Sequence, residues 1–402
     1  MKILIVNKFL YPNGGSETYI FKVGDQLQKM GHEVQYFGME HGGRVVGNRA
    51  ESYTSNMDFH TGKLQKLLYP FKIIYSTEAR KKIRLVLDDF APDAVHLNNF
   101  NFQLTPSILY EINKYKKDTG RNVKVVFTAH DSQLVCPNHL MQQYISRERC
   151  TKCIGGSPWN CAKYKCIHGS AVKSLLGSME AWIYRNLKTY RFIDVAICPS
   201  YFLKEKLDTC PQLQGKTVVM HNFVEPIELT QEVNIDTNPY VLYFGRFSKE
   251  KGIETLLKVC KKLPDISFLF AGNGPLEKEV NETENIENKG FQTGNDLQML
   301  IRNAKFSVFP SECNENCPFS VMESLIYGTP VIGADIGGVP ELIEDGKTGY
   351  LFRSGDEDEL SEKIMRLWND EAVLSTMTKE CQKVTFDTAS EYCEKLLQYY
   401  GA

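Results

Sequence analysis

The stretch from Lys305 to Glu344 limits the fold most, because it reads as strand, loop, helix, strand and a second glycine-led loop within forty residues. F-S-V-F (Phe306 to Phe309) has the character of a short buried strand, and Pro310-Ser311 ends it by removing a ladder donor and adding turn chemistry. A helix follows, with Pro318 expected at its first position, where a missing N–H costs nothing, and Gly328 at its end. Met322, Leu325 and Ile326 fall on one face, so this helix docks on a core and carries Glu323 as an acid beside it. The strand Val331 to Ala334 and the turn Gly337-Gly338 come next, which is the rhythm of an open α/β sheet.

Free N–H groups at a helix start attract anions, and glycines let a ligand approach the main chain, so phosphate fits this loop. Glu315 is itself negative and therefore suits the hydroxyls of the same ligand, which makes a phosphorylated polyol or a sugar nucleotide the expected occupant. The whole segment P-S-E-C-N-E-N-C-P-F-S-V-M-E-S-L-I-Y-G-T-P-V-I-G-A-D-I-G-G-V-P-E-L-I resembles the E-x7-E signature region of the family 4 glycosyltransferases. Those are retaining enzymes of the GT-B fold. The resemblance implies an α/β chain of two Rossmann-like domains whose parallel sheets face each other across a cleft. Ser320 stands where many relatives have glycine and Cys317 departs from the common pattern, which leaves the donor sugar open.

At 402 residues the chain exceeds one ordinary core, and the length points to two domains. A net charge of -2 asks for no nucleic-acid partner. The start M-K-I-L-I-V-N-K is too briefly apolar for a signal peptide, and no run of membrane-spanning length exists, so a cytoplasmic protein is expected.

Lys2 to Val6 reads as a buried strand, and Gly14 and Gly15 lie beyond its carboxyl end, the ligand side of an open α/β sheet. The pair makes either a tight turn or a site of ligand approach, and the resemblance implies the second, against a donor diphosphate. Between Lys63 and Arg84 there are seven basic residues and one acid, with Leu64, Leu67, Leu68 and Phe71 at helical spacing until Pro70 and Ile73 disturb it. Such a face lies either on an anionic membrane or on a core with its basic side solvated. Ala94 to Leu97 and Val123 to Asp131 are two further strands ending in polar loops, and His130 is at the carboxyl end of the second, matching an active-site histidine of many relatives.

A cysteine-rich insert, 136-168, comes next: Cys136, Cys150-x2-Cys153, Cys161 and Cys166, with His139 and His168 nearby. Cys150, Cys153, Cys161 and Cys166 supply enough ligands for a structural zinc, with Cys136 or His168 in reserve; free buried thiols or a disulfide-stapled loop are the other readings. A long helix around Leu175 to Leu187, a strand Ile193 to Cys198 and a helix opened by Ser200 complete residues 1-224 as the acceptor-side domain. Residues 225-239 read as a linker, 240-385 as the nucleotide-sugar domain and 386-402 as a last helix that in this family crosses back to the first domain.

In the second domain the strand Tyr240 to Arg246 exits into Arg246, Lys251 and Gly252, a basic pair matched in the family and placed to meet an anion. Gly272 and Gly274 permit close backbone approach, and Lys289 to Phe291 matches the segment that faces the nucleotide base. Asp356 and Asp358 form the one D-x-D, yet they start a helix and read as a cap, so no catalytic metal is implied.

The resemblance implies a transferase moving a sugar from a UDP- or GDP-linked donor to a saccharide or lipid-linked acceptor, as in polysaccharide synthesis. His130, Glu315, Arg246 and Lys251 are the expected catalytic residues; Gly14, Gly15, Gly272, Gly274, Phe291, Cys317, Pro318, Phe319 and Glu323 are the expected donor-binding ones. A nucleotide-sugar epimerase on a similar fold, or a zinc-containing interaction protein with a vestigial cleft, are the alternatives.

Overall fold

The computed structural model describes residues 1–56, 74–225 and 238–402. They form two compact units, one of Met1–Met220 with Ala389–Ala402 and one of His221–Thr388.

The first unit carries β1 (Lys2–Val6), β2 (Glu33–Phe37), β3 (Ala94–Leu97), β4 (Lys124–Thr128), β5 (Val195–Cys198) and β6 (Thr217–Val219), all parallel, in the order β2-β1-β3-β4-β5-β6. These strands are short aliphatic runs covered on both faces, which is why they read as continuous rather than alternating patterns. The helix Gly15–Lys29 buries Ile20, Val23 and Leu27. The last helix, Ala389–Tyr400, belongs to this unit: Tyr392 and Leu396 are buried, and the Tyr392 hydroxyl lies 2.9 Å from that of Tyr19.

The second unit carries β7 (Val241–Phe244), β8 (Phe268–Ala271), β9 (Ile286–Asn288), β10 (Phe306–Phe309), β11 (Val331–Asp335) and β12 (Gly349–Arg353), again parallel, in the order β12-β11-β10-β7-β8-β9. Strand order reverses beside β1 in the first sheet, between β1 and β3, and between β7 and β10 in the second. Crevices at the carboxyl ends of such reversals are where open α/β sheets bind ligands.

Two expectations shift. The first unit stops at Met220 rather than at 224, because Asn222 Nδ2 donates to the Cys317 carbonyl at 2.7 Å and Val224 N–H to the Asp387 carbonyl at 3.0 Å. The helix after Glu315 runs Phe319–Ile326 and Pro318 is its N-cap, since a ψ of 124° keeps that residue extended. Leu64, Leu67, Leu68, Pro70, Phe71 and Ile73, and most of the 225-239 linker, lie outside the described residues. In the described remainder of the basic segment, Arg80 pairs with Glu111 and Arg84 with Asp88 and Asp118, so these cations are already neutralised. Asp356 caps the helix Glu357–Asn369, accepting from the N–H groups of Asp358 and Glu359.

Candidate active site

Beyond β7 the chain passes the exposed Arg246, makes one helical turn at Lys249–Lys251 and reaches Gly252 at φ 73°. A Cβ on Gly252 would lie 1.8 Å from the Pro310 carbonyl oxygen, so glycine lets the loop after β7 press against the loop after β10. That contact brings Lys251 Nζ to 2.5 Å from Glu315 Oε1. The same oxygen accepts from Ser311 Oγ at 2.7 Å and Cys313 Sγ at 3.4 Å. Among the described residues nothing bonds Oε2, and it is not shut off from solvent.

Burial alone would raise the Glu315 carboxyl, but the Lys251 ammonium, helped by Ser311 and Cys313, outweighs it and holds the group below the usual carboxylate range. Burial likewise opposes the charge on Lys251, and Glu315 more than restores it. Cys313 is pushed up to about 12 by burial and by the Glu315 charge, so it stays a thiol. The site is therefore a fixed ion pair with one free carboxylate oxygen, and the exposed Arg246 precedes Lys251 in the same loop.

The loop is pinned from β11. Gly338 N–H donates to the Glu315 carbonyl at 2.7 Å, and a Cβ on Gly337, at φ 61°, would lie 2.1 Å from that oxygen. The Gly337-Gly338 turn thus fixes the backbone of Glu315. Glu323 is half-buried on its helix, Phe319 packs partly against the core, and Phe291 is 71% exposed.

Three of the candidate donor-binding residues also pack against the protein itself. A Cβ on Gly272 would lie 1.9 Å from the Gly245 carbonyl oxygen, and one on Gly274 would lie 2.5 Å from that of Phe247. Protein backbone fills the Cβ side of these glycines, so no side chain is tolerated there. Cys317 is turned inward, its sulfur 3.4 Å from Met322 Sδ and 3.3 Å from the Asn222 nitrogen, so its thiol is committed to packing.

In the first unit the crevice beside β1 and β3 holds Gly14 and Gly15, both exposed, and nothing lies within 4 Å of a Cβ built on Gly15. Behind them Glu17, 2% exposed, accepts from Asn7 Nδ2 at 2.8 Å and Ser16 Oγ at 2.9 Å, while Asn7 Oδ1 accepts from the Asn99 N–H at 3.0 Å. His130 Nε2 donates to Asn98 Oδ1 at 2.9 Å, and the ring stands edge-on to Tyr19 at 5.0 Å. Burial lowers the His130 imidazole to about 4 against the opposing pull of Asp131, so it is neutral at ordinary pH. Under it Tyr19, Thr128, His96 and Tyr400 form a hydrogen-bonded chain, with Tyr400 O–H at 2.6 Å from His96 Nδ1. Sequence reasoning missed Ser311, Asn98 and this chain, whose members come together from opposite ends of the sequence.

All five insert cysteines surround one cavity of about 10 Å3, room for a single small ion or a water. Cys136 joins the group, whereas His168 stands apart with its ring 5.9 Å from that of Tyr144. As the side chains stand, no group of three or more His, Cys, Asp or Glu among the described residues could hold a metal ion. The larger cavities, of about 630 and 480 Å3, are lined mainly by residues that lead into strands, among them Lys216 before β6 and Tyr240 before β7.

The profile described as "Glycosyltransferase Family 4" matches residues 13–227, more than half of the chain, and that described as "Glycosyl transferases group 1" matches residues 226–384. The chain is 27% identical over 233 residues to an uncharacterized glycosyltransferase of Methanocaldococcus jannaschii, covering 56% of this chain and 64% of that protein. It is 31% identical over 153 residues to the sulfoquinovosyl transferase of Arabidopsis thaliana, covering 37% and 30%. Both matches span less than two thirds of those relatives. The N-acetyl-alpha-D-glucosaminyl L-malate synthase of Bacillus anthracis is 21% identical over 417 residues, covering 97% of this chain and 93% of its own. Among solved structures, the sucrose-phosphate synthase of Thermosynechococcus elongatus aligns with a TM-score of 0.70 at 17% identity, covering 100% and 98%. HepE of Anabaena, in complex with UDP-glucose, aligns with a TM-score of 0.67 at 17% identity, covering 99% of each chain. The chain therefore has the GT-B fold and belongs to glycosyltransferase family 4.

Proposed function

We propose that this chain transfers a sugar, with retention of anomeric configuration, from a nucleoside-diphosphate sugar to a saccharide or lipid-linked acceptor in glycoconjugate synthesis. The observation that carries the reading is Glu315, held ionised by Lys251 through one oxygen while the other is free for a ligand. The solved relative from Anabaena, which binds UDP-glucose, supports a nucleotide-sugar donor.

The chemistry must expel a diphosphate from the sugar, and negative charge grows on the leaving oxygen. Lys251 has three N–H donors and Glu315 engages one, which leaves donors for that oxygen. Arg246 adds a second cation, and the two act where a divalent metal acts in other transferases. Glu315 Oε2 takes hydroxyls of the donor sugar, Glu323 the ribose, Phe291 the base and the Gly15 backbone the diphosphate. His130, neutral and oriented by Asn98, addresses the reacting region of the sugar. Family membership supports retention by front-face attack.

We also propose that the insert thiols close on one structural zinc by turning from their present rotamers, Cys136 being available beside Cys150, Cys153, Cys161 and Cys166; their convergence supports this. The twelve free cysteines fit a reducing, cytoplasmic setting. Peripheral contact with anionic lipid through the basic segment remains part of the proposal; among the described residues no helix is long and apolar enough to cross a membrane. A thermal-shift screen of UDP- and GDP-sugars tests the reading, since a bound donor stabilises by mass action. Stabilisation by no nucleotide sugar would overturn it, and conversion of a donor to its epimer without acceptor would favour the epimerase alternative.

A further inference from the structure

Next to the His130 loop, the first unit holds a cavity of about 310 Å3 between the residue leaving β1, the loop after β3, the loop after β4 and the helix Ala171–Asn186. Its charged lining is unbalanced. Lys8 and Lys173 are cations with no ion pair among the described residues; Lys8 Nζ lies only over the Phe9 ring, at 5.2 Å. The one acid, Asp131, is already engaged, accepting from the Gln133 N–H at 2.8 Å and facing His139 Nδ1 at 3.8 Å.

The amides of the lining are incomplete as well. Gln133 Nε2 and Gln103 Oε1 are both buried without a hydrogen-bond partner. Such atoms carry an uncompensated desolvation penalty until something meets them. Phe102, His139 and His168, in the same lining, hold left-handed φ of 63°, 57° and 52°, backbone strain of the kind that gathers at ligand sites.

We infer that this cavity takes a phosphate group carried by the acceptor. Two lysines, the Gln133 amide and the His168 imidazole offer more donors than a carboxylate has oxygens to accept, and a phosphate matches them. Gln103 Oε1 then accepts from a hydroxyl beside that phosphate, while Asp131 repels the anion from its own side and turns it toward the lysines. The inference rests on the transferase reading, which assigns the acceptor to the first unit.

The test uses the full chain with whichever of UDP and GDP it binds held at saturation, so that sugar phosphates do not enter the donor site. Binding of glucose 1-phosphate and of farnesyl phosphate is measured against glucose and farnesol; the two phosphates distinguish a soluble from a lipid-borne acceptor. At least one phosphorylated probe should bind about tenfold or more tighter than its neutral counterpart, and Lys173→Glu and Lys8→Ala should each remove about that factor. Affinity for that nucleoside diphosphate should be unchanged in both variants, which shows that they fold. Equal binding of charged and neutral probes, absence of phosphate binding at millimolar concentration, or indifference to Lys173→Glu would overturn the inference. A wild-type chain that binds farnesyl phosphate but neither UDP nor GDP would instead overturn the transferase reading.

Discussion

Gly337→Ala tests how Glu315 is positioned without touching a charged group. The new Cβ would lie 2.1 Å from the Glu315 carbonyl oxygen, so the Glu315 loop must retreat by about 1.3 Å to reach ordinary contact at 3.4 Å. Alanine at φ 61° costs about 1–2 kcal/mol, and loss of the Gly338 to Glu315 hydrogen bond about 1 more. For a unit of this size about 2–3 kcal/mol lowers Tm by roughly 4–12 °C. A misplacement of about 1 Å at a reacting centre can lower the rate by about a hundredfold. Gly346→Ala is the matched control, because Gly346 also holds a left-handed φ, of 76°, but nothing lies within 4 Å of its Cβ. The assay is nucleoside-diphosphate release from the accepted donor, with Tm measured on the same samples. Gly346→Ala should lose stability with turnover intact, and Gly337→Ala should lose both. Wild-type turnover in Gly337→Ala would refute the argument that this turn sets the position of a working carboxylate.

Lys251→Ala should lower turnover by about a hundredfold to a thousandfold. It also frees Glu315 from the cation that depresses its pKa; the stability tied to the ionised carboxylate is present above the usual carboxylate range and lost as pH falls through the lowered folded value, so acid unfolding of the variant should begin at higher pH. For His130, with a folded pKa of about 4 against an ordinary value of about 6.5, the associated stability is complete above the ordinary value and lost as pH falls toward the folded one. His130→Gln should flatten that window, and an NMR titration showing protonation near pH 6.5 would contradict it. Elemental analysis of chain purified without added metal should give about one zinc, and Cys153→Ser should lose it; metal-free protein with paired or fully titratable thiols would end the zinc proposal.

Much of the fold was legible because punctuation and pattern agree. Pro310 and Gly328 bound the segments around Glu315, and the aliphatic runs at Lys2–Val6 and Ala94–Leu97 are too short for helices and became strands. What stayed hidden depends on partners far apart in sequence. Gly272 and Gly274 look like ligand glycines, and only the packing of Gly245 and Phe247 against them reveals a loop-loop contact. Cys317 reads as part of the signature loop, yet Asn222, 95 residues earlier, claims its backbone and turns it inward. Similarly, spacing could not choose between Cys136 and His168 as neighbours of the other four thiols, because three-dimensional return of the insert decides it.

The central claim is retaining transfer from a nucleotide sugar by the Lys251 and Glu315 site without a catalytic metal. Proton NMR of the anomeric signal in the first product, formed from an α-linked donor in EDTA, tests it most directly. The expected first product has the α configuration at wild-type chain and none forms in Glu315→Gln within the same time. A β product, or turnover that appears only on adding magnesium or manganese, would contradict the account.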